Sequence, residues 1–388
     1  MKAKISAWAA ACLALTLSAC GGASAPAPSS AAPAAPVVST SAAQAPSSAG
    51  GATKDTLQGL IDGAKKEGAL NLAWAQDILG GSDGVDRLTA GFQKAYGLSF
   101  KPQFTIGDNS DGMGVRLTQE IQANRPATTD AYYGPNSSLG TIKAANGLLS
   151  SNWTDWAPNV KDPAAVAPGG VAVEVATGIA GITYNTKTVT GDNIPKSLMD
   201  LLKPRYKGRV ATTPYAAGYE RLSTPDAWGK PAALDFARKM SAQVGGLIRC
   251  NEVNRLVSGE FDLLALNCNQ APALINKAKG APLDFVIPTD AAQLTPNYLV
   301  VPKNAAHPNA AKLWINYVAS PEAQAALYDL TFIDAEWVKG SKIAAVVAKY
   351  KAQGVKFQVG DFAYYDKNNV AELNNTLKEM QNILQKKA

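Results

Sequence analysis

Few residues in this sequence can carry acid–base or metal chemistry. The 388 residues include one histidine, His307, and four cysteines. Histidine is the usual general base at neutral pH and a common metal ligand, so its scarcity argues against a His-dependent catalytic triad and a His-rich metal site. We therefore predict no catalytic residue, no metal site and no cofactor, and we expect that the protein is not an enzyme.

Polar and aromatic side chains are found instead directly after predicted strands, around residues 69–74, 98–104, 130–133, 210–212 and 261–266. In open α/β sheets a ligand lies beyond the carboxyl ends of the strands, where loops lead into helix N-termini. The candidate ligand-binding residues are Trp74, Gln76, Asp77, Asn109, Ser110, Tyr133, Asn136, Tyr215, Tyr219, Arg249, Asn267 and Asn269. Aromatic faces with amides and hydroxyls suit a small polar solute, although Tyr and Trp also serve in ordinary packing.

The elements that must position these side chains alternate between helix and strand. Leu57, Leu60, Ile61 and Ala64 mark one helical face, Gly68 stops this helix, and a short apolar strand follows. The same succession continues along the chain. It predicts an α/β fold with mostly parallel sheets that are covered by helices.

The overall composition is that of a folded protein, with 46% hydrophobic and 18% charged residues. The formal net charge of +6 is too small to indicate a nucleic-acid partner. After the first twenty residues there is no uninterrupted apolar run of about eighteen residues, which excludes a polytopic membrane protein.

The N-terminus has the pattern of an export signal. Lys2 and Lys4 precede an apolar stretch, and residues 17–20, Leu-Ser-Ala-Cys, resemble the bacterial lipobox. We predict a lipoprotein signal peptide at 1–19, a lipid on Cys20, and a disordered Ala/Pro/Ser tether at 20–53. The protein should then be extracytoplasmic and lipid-anchored to a bacterial membrane, in the periplasm or at the cell surface; an ordinary signal peptide with an incidental cysteine is the alternative.

Cys250 and Cys268 both follow predicted strands. Because the compartment outside the cytoplasm is oxidising, a disulfide between them is the expected state. The alternative is a free, reactive thiol in the cleft. Since a nucleophilic thiol needs a base and His307 lies in a surface-type loop, Glu252 or Asp262 would have to supply it.

Five segments together resemble bacterial extracellular solute-binding proteins. They are Gly-Ile-Thr-Tyr-Asn-Thr at 181–186, the Leu-Leu-Lys-Pro-Arg-Tyr-Lys-Gly-Arg-Val run at 201–210, Ser-Gly-Glu-Phe-Asp at 258–262, His-Pro-Asn-Ala-Ala-Lys at 307–312 and Ser-Pro-Glu-Ala-Gln at 320–324. Their order and approximate spacing look most like the ferric-iron-binding branch of ABC-transporter receptors.

The resemblance implies a type II periplasmic-binding fold with two lobes that close around one ligand. Each lobe would be a mixed, mostly parallel sheet flanked by helices, with two crossover strands between the lobes. Lobe 1 would comprise residues 54–168 plus 292–388, and lobe 2 residues 169–291. The implied partners are a small-molecule solute and an ABC permease with its ATPase, the implied role is import, and we expect a monomer. A sensory receptor that presents its solute to a signalling partner is a rival.

Two other functions are weaker alternatives. In ferric-binding members a His, a Glu and an adjacent Tyr pair hold the metal; by approximate alignment Gln76, Pro135 and the run 267–269 occupy those places here. None supplies the anionic hard oxygen that Fe(III) prefers. Some enzymes that resemble this fold, such as thiaminases, use a cleft Cys, and Cys268 or Cys250 could act in that way.

Two arginines give a hint about the charge of the solute. Arg249 lies at a strand end, and Arg221 lies one turn inside the helix that follows Gly218. An Arg near a helix N-terminus favours a carboxylate, phosphate or phosphonate, so an organic anion is a candidate solute. The alternative is that both arginines are solvated or form surface ion pairs.

Overall fold

Short parallel strands and amphipathic helices build the first lobe. The computed structural model describes residues 54–386; the predicted signal peptide, the tether, Cys12 and Cys20 lie outside the described residues. The first elements are α1 (Leu57–Glu67), β1 (Asn71–Trp74), α2 (Gly81–Tyr96), β2 (Gln103–Ile106), α3 (Ser110–Gln122), β3 (Tyr132–Pro135), α4 (Asn136–Ala144) and α5 (Trp153–Trp156). β1 and β2 pair in parallel, and Phe92 of α2 packs in the core beneath them.

A long strand, β4, leads into the second lobe. The following elements are β4 (Val173–Asn185), β5 (Val210–Thr212), α6 (Tyr219–Leu222), α7 (Lys230–Gln243), β6 (Val244–Leu247), α8 (Asn254–Val257), β7 (Leu263–Asn267), α9 (Ala271–Ala278) and β8 (Leu283–Val286). β5 pairs in parallel with both β6 and β7. β4 is antiparallel to β7 and β8.

The chain then returns through a second crossing strand. The remaining elements are β9 (Gln293–Val300), α10 (Pro308–Val318), α11 (Pro321–Thr331), α12 (Lys342–Ala352), β10 (Gln358–Val359), α13 (Phe362–Lys367) and α14 (Val370–Gln385). Ser320 caps α11 by accepting from the Ala323 N–H at 3.2 Å, and Pro321 is its first residue; a Ser-Pro pair is typical of a helix start.

β4 and β9 belong to both lobes. β4 pairs with β9 along Val173–Ala180 and with β7 and β8 along its last residues, from Gly181 to Asn185. β9 in turn carries β3 and β10 on its other edge. The two-lobed α/β fold that the resemblance implies is confirmed, but its sheets are mixed and not mostly parallel, because β4 is antiparallel to β7, β8 and β9. Of the described residues, no helix is both long and apolar enough to cross a membrane.

The helix α14 packs on the second lobe. Its Met380 and Leu384 are buried in one core cluster with Tyr219 and Phe236 of α6 and α7. The sequence analysis placed residues 292–388 with the first lobe, and α14 departs from that division. An amphipathic pattern shows that a helix buries one face, but it does not show which surface receives that face.

Candidate functional site

The carboxyl ends of strands from both lobes meet beside β4 and β9. In the first lobe, β1 and β3 end at Trp74 and Pro135; in the second, β7 ends at Asn267. The loop after β7 comes so close to β4 that a Cβ atom at Gly178 would lie 3.1 Å from the Cβ of Asn269. The cleft between the lobes therefore has β4 and β9 as its floor.

A disulfide fixes the wall of the cleft that the second lobe supplies. Cys250 and Cys268 are joined, with Cα atoms 5.8 Å apart, and connect the loops that follow β6 and β7. The Cys250 N–H donates to the hydroxyl of Tyr215 at 3.0 Å, and the side chain of Gln381 on α14 donates to the Tyr215 backbone oxygen at 3.0 Å. Tyr215 is 36% exposed, so its position is fixed while part of its ring stays free for contact.

Glu174 is an acidic residue on the floor of the cleft. It pairs directly with Tyr298 across β4 and β9, so the two side chains emerge on the same face of the sheet. The Thr177 hydroxyl donates to one Glu174 carboxylate oxygen at 2.5 Å. In the part of the chain that the structure describes, no Lys or Arg lies near enough to compensate the Glu174 charge.

The surroundings of Glu174 disfavour its ionised form. Burial raises its pKa from 4.5 to about 8, and the carboxylates of Glu336, Asp361 and Asp162 act in the same direction. The hydrogen bond from Thr177 opposes this shift without cancelling it. At neutral pH Glu174 is therefore mostly protonated in the ligand-free cleft.

Two tyrosine hydroxyls lie near this carboxyl group. Tyr298 is 3% and Tyr133 is 9% exposed, and within residues 54–386 neither hydroxyl has a hydrogen-bond partner. Burial raises the pKa of both; the carboxylates of Glu174 and Asp361 raise that of Tyr298 further, and those of Asp77 and Glu174 raise that of Tyr133. The hydroxyls therefore face a cluster of acidic groups.

The acidic surface continues towards the second lobe. Burial raises the pKa of Glu220 in α6. It also raises the pKa of Tyr365 in α13 to about 12, with Glu220 acting in the same direction. Asp361 caps α13 by accepting from the Tyr364 N–H at 2.7 Å. Carboxylates and phenols thus extend from β4 to α6.

Arg221 has a structural role. Its guanidinium donates to the backbone oxygen of Leu294 at 3.0 Å, to the Thr295 hydroxyl at 3.3 Å and to the backbone oxygen of Gln358. The residue is 3% exposed, and its guanidinium lies over the Tyr364 ring, 5.5 Å from the centroid. Arg221 ties α6 to β9 and β10, so it is not free to bind an anionic solute as the sequence analysis suggested.

Three of the candidate residues offer no surface to a solute. Trp74 is 2% exposed and packs on Phe104, with ring centroids 5.7 Å apart. Tyr219 is fully buried, and its hydroxyl lies 3.0 Å from that of Thr212. Asn267 is fully buried as well and donates to the Thr183 hydroxyl at 2.9 Å. Trp74 and Asn267 are the last residues of β1 and β7 and Tyr219 is the first residue of α6, but the side chain of each packs inside its lobe.

The other candidates keep exposed surface at the ends of the strands. They are Gln76, Asp77, Asn109, Ser110, Asn136, Tyr215, Arg249 and Asn269. Asn109 caps α3 by accepting from Gly112 N–H at 2.9 Å, and Asn269 accepts from Ala271 N–H at 2.9 Å. Gln76 donates to the Ser82 hydroxyl at 2.9 Å. These side chains contribute to the local loops, and contact with a solute remains a proposal for each.

Sequence reasoning missed the acidic floor. Glu174, Tyr298, Asp361, Tyr365 and Glu220 were not among the candidates, because none follows a parallel strand in the predicted pattern. One signal was present: Glu174 is the one charged residue in the apolar stretch 171–184. A charge in a buried strand is rare unless it is paired or functional.

Replacing Glu174 with Gln should stabilise the protein increasingly as the pH rises. In the folded protein the pKa of Glu174 is about 8, above its ordinary 4.5, so the folded state binds more protons than the unfolded state between those values. Wild-type stability therefore falls as the pH rises from about 4.5 to 8, and Gln removes this loss. We expect a gain of about 2 kcal/mol at pH 9, about half of the full linkage because the side chain is partly exposed.

Urea unfolding at pH 5, 7 and 9 would measure this effect. Glu379→Gln, the same substitution at an exposed position of α14, is the matched control and should change stability by less than about 0.5 kcal/mol at every pH. A Glu174→Gln effect that is independent of pH would contradict the raised pKa.

The chain matches known proteins in sequence and in fold. Residues 137–368, more than half of the chain, match the model of the family described as bacterial extracellular solute-binding protein. An uncharacterized protein of Haemophilus influenzae is 24% identical over 242 residues, which are 60% of this chain and 69% of that protein.

Several solved structures share the fold. The substrate-binding protein of an ABC transporter from Agrobacterium tumefaciens superposes with a TM-score of 0.67 at 16% identity, covering 83% of this chain and 97% of that one. Iron-bound HitA from Pseudomonas aeruginosa gives 0.59 at 19% identity, covering 81% and 99%. A putative spermidine/putrescine ABC transporter protein from Listeria monocytogenes gives 0.58 at 17% identity, covering 81% and 99%.

The residues that match the family model include both strands that form the floor of the cleft. The family model spans the end of the first lobe, both crossing strands and the second lobe, and the cleft lies where these parts meet. Family membership also gives the location, outside the cytoplasm. This chain belongs to the bacterial extracellular solute-binding protein family.

Proposed function

We propose that this protein is the substrate-binding receptor of an ABC importer, which captures a small polar solute between its lobes and delivers it to a permease and its ATPase. The observation that carries the proposal is the cleft whose floor is formed by the two crossing strands, β4 and β9. The family match and the ABC-transporter proteins among the structural neighbours support it.

Lobe closure is the mechanism that this architecture favours. Because β4 and β9 belong to both lobes, small dihedral changes along them can move one lobe relative to the other. A solute that contacts both walls binds the closed form more tightly and shifts the equilibrium towards it. Cys20 with its lipid and the tether at 20–53 would hold this monomeric receptor beside the permease.

The two alternative functions have less support. In the thiol enzyme Cys268 or Cys250 would act as nucleophile, and the disulfide occupies both sulfur atoms. In the ferric receptor, hard anionic ligands would surround the metal. Within residues 54–386, no three His, Cys, Asp or Glu side chains are arranged to hold a metal ion, and the places of the family ligands hold Gln76, Pro135 and the run 267–269.

Native purification tests the receptor role without assuming the ligand. The full chain, purified from its host under native conditions and then unfolded, should release about one small solute per chain, which mass spectrometry would identify. Adding the released compound to ligand-free protein should reduce the radius of gyration in small-angle X-ray scattering. Tyr215→Ala should lower the affinity at least tenfold, because Tyr215 presents its ring from the wall of the cleft.

Met199→Ala is the control for this experiment. Met199 is an exposed apolar residue of the second lobe, and its side chain does not line the cleft. Truncating this side chain should therefore leave both solute release and compaction unchanged. Absence of a stoichiometric solute, or an unchanged radius of gyration after the released compound is added, would refute the receptor role. Release of a chemically converted product would favour an enzyme.

A further inference from the structure

We propose that the captured solute carries a positively charged nitrogen and that Glu174 is its counter-ion on the floor of the cleft. This inference rests on the proposed function, since it assigns a charge to the solute of the same site. It assigns the solute a positive charge, whereas the sequence analysis named an organic anion as a candidate solute.

The charge of the groups that line the cleft favours a cation. Glu174, Glu220 and Asp361 lie along its floor and its second-lobe side, and within the described residues none of the three has an ion-pair partner among Lys and Arg. The charge of Arg221 lowers the pKa of Glu220 and so opposes part of the effect of burial, but its guanidinium is buried and bonded to backbone and hydroxyl oxygens. An anionic solute would meet acidic groups with no paired cation and would disfavour their ionisation further, whereas a cation would stabilise their ionised form.

A tyrosine side chain opposite Glu174 also indicates a ligand at this place. Tyr298 is 97% buried, since only 3% of it is exposed, and in the described part of the chain its hydroxyl has no partner. The hydroxyl oxygen itself is not cut off from solvent, so it lies at the surface of the cleft, where a ligand group can reach it and complete its hydrogen bonding. Because Tyr298 stands opposite Glu174, one ammonium group between them could donate to the phenol oxygen and to the free carboxylate oxygen.

A metal ion fits this site less well than an ammonium group. A hard cation needs several oxygen ligands at about 2.0–2.6 Å, and the acidic side chains of residues 54–386 are not gathered closely enough for that. The Thr177 hydroxyl already donates to one oxygen of Glu174. One free carboxylate oxygen beside tyrosine rings suits an organic cation, which also gains from aromatic faces.

Protonation of Glu174 gives the inference a measurable signature. The groups that face Glu174 are Thr177 on β4, Tyr298 on β9, Tyr133 on β3, and the carboxyls of Asp162, Glu336 and Asp361. A cation binds the ionised carboxylate, so binding must expel the proton that Glu174 carries at neutral pH. The affinity for a cation should therefore fall about tenfold per pH unit below pH 8.

Calorimetry with charge-matched probes tests the inference on the full chain. The cations are 1,4-diaminobutane and choline, the neutral analogues are 1,4-butanediol and 3,3-dimethylbutan-1-ol, and the anions are succinate and 3,3-dimethylbutanoate. We expect binding by at least one cation and by no neutral or anionic analogue. Choline has no titrating nitrogen, so any pH dependence of its affinity comes from the protein. Repeating the titration in buffers of different ionisation enthalpy would reveal the proton that binding releases.

Glu174→Gln should weaken cation binding at least tenfold and abolish both the pH dependence and the proton release, whereas Glu379→Gln should change neither. A merely structural role of Glu174 would weaken binding without removing the pH dependence. Binding of an anion, or of neither cation, would overturn the inference. Compaction of the lobes around an anion would do so while leaving the receptor role intact.

Discussion

Replacing Arg221 with Met should destabilise the protein by about 3 kcal/mol, because backbone and hydroxyl oxygens then lose a charged donor. The guanidinium donates to Leu294, Thr295 and Gln358. Methionine fills much of the same space but donates no hydrogen bond, so the oxygens of Thr295 and Gln358 would lose this donor, while Leu294 would keep only the Gly360 N–H at 2.9 Å. Urea unfolding would measure the loss as a lower midpoint at an unchanged slope.

Arg238→Met is the matched control, since Arg238 is exposed on α7, and it should change stability by less than about 0.5 kcal/mol. Arg221→Lys should fall between the wild type and Arg221→Met, because an ammonium group cannot reproduce the planar fork of donors. If Arg221→Met changed stability as little as Arg238→Met does, the hydrogen bonds of Arg221 would not be what holds α6 to β9 and β10.

Replacing Cys250 and Cys268 together with Ser should destabilise the protein by about 3 kcal/mol. The disulfide closes a loop with a sequence separation of 18, and a cross-link of that span removes about this much chain entropy from the unfolded state. The same variant should bind its solute more weakly, because the Cys250 N–H that holds the Tyr215 hydroxyl would lie on a looser loop.

A reducing agent separates this effect from the substitutions themselves. It should lower the urea midpoint of the wild type to near that of the double Ser variant and leave the variant unchanged. Equal midpoints for the oxidised wild type and the variant would show that the disulfide contributes nothing to stability.

The local features of the fold could be predicted from the sequence because they depend on neighbouring residues. The cap at Ser320 needs only the free N–H groups of the helix that begins at Pro321. The alternating α/β order likewise follows from periods read within a dozen residues. The helix α14 packs against Tyr219 and Phe236, which lie far away along the chain. A local pattern therefore cannot show which lobe α14 joins.

The site was harder to predict for the same reason. Arg221 looks like an anion-binding residue when only its helix is considered, yet its partners lie on β9 and β10. Tyr219 and Asn267 follow strands as ligand residues do, but their side chains are buried inside the lobe. Glu174 gains its unusual environment from Asp162, Glu336 and Asp361, which only the folded chain brings together.

The packing of α14 also bears on the order in which the lobes fold. The core of the second lobe includes Met380 and Leu384, so it is incomplete until residues 370–385 have been synthesised and have joined it. A chain that crosses a membrane starting from its N-terminus would expose part of this core until α14 arrives. Late completion would keep the second lobe from folding early, and early folding would obstruct passage through a narrow export channel.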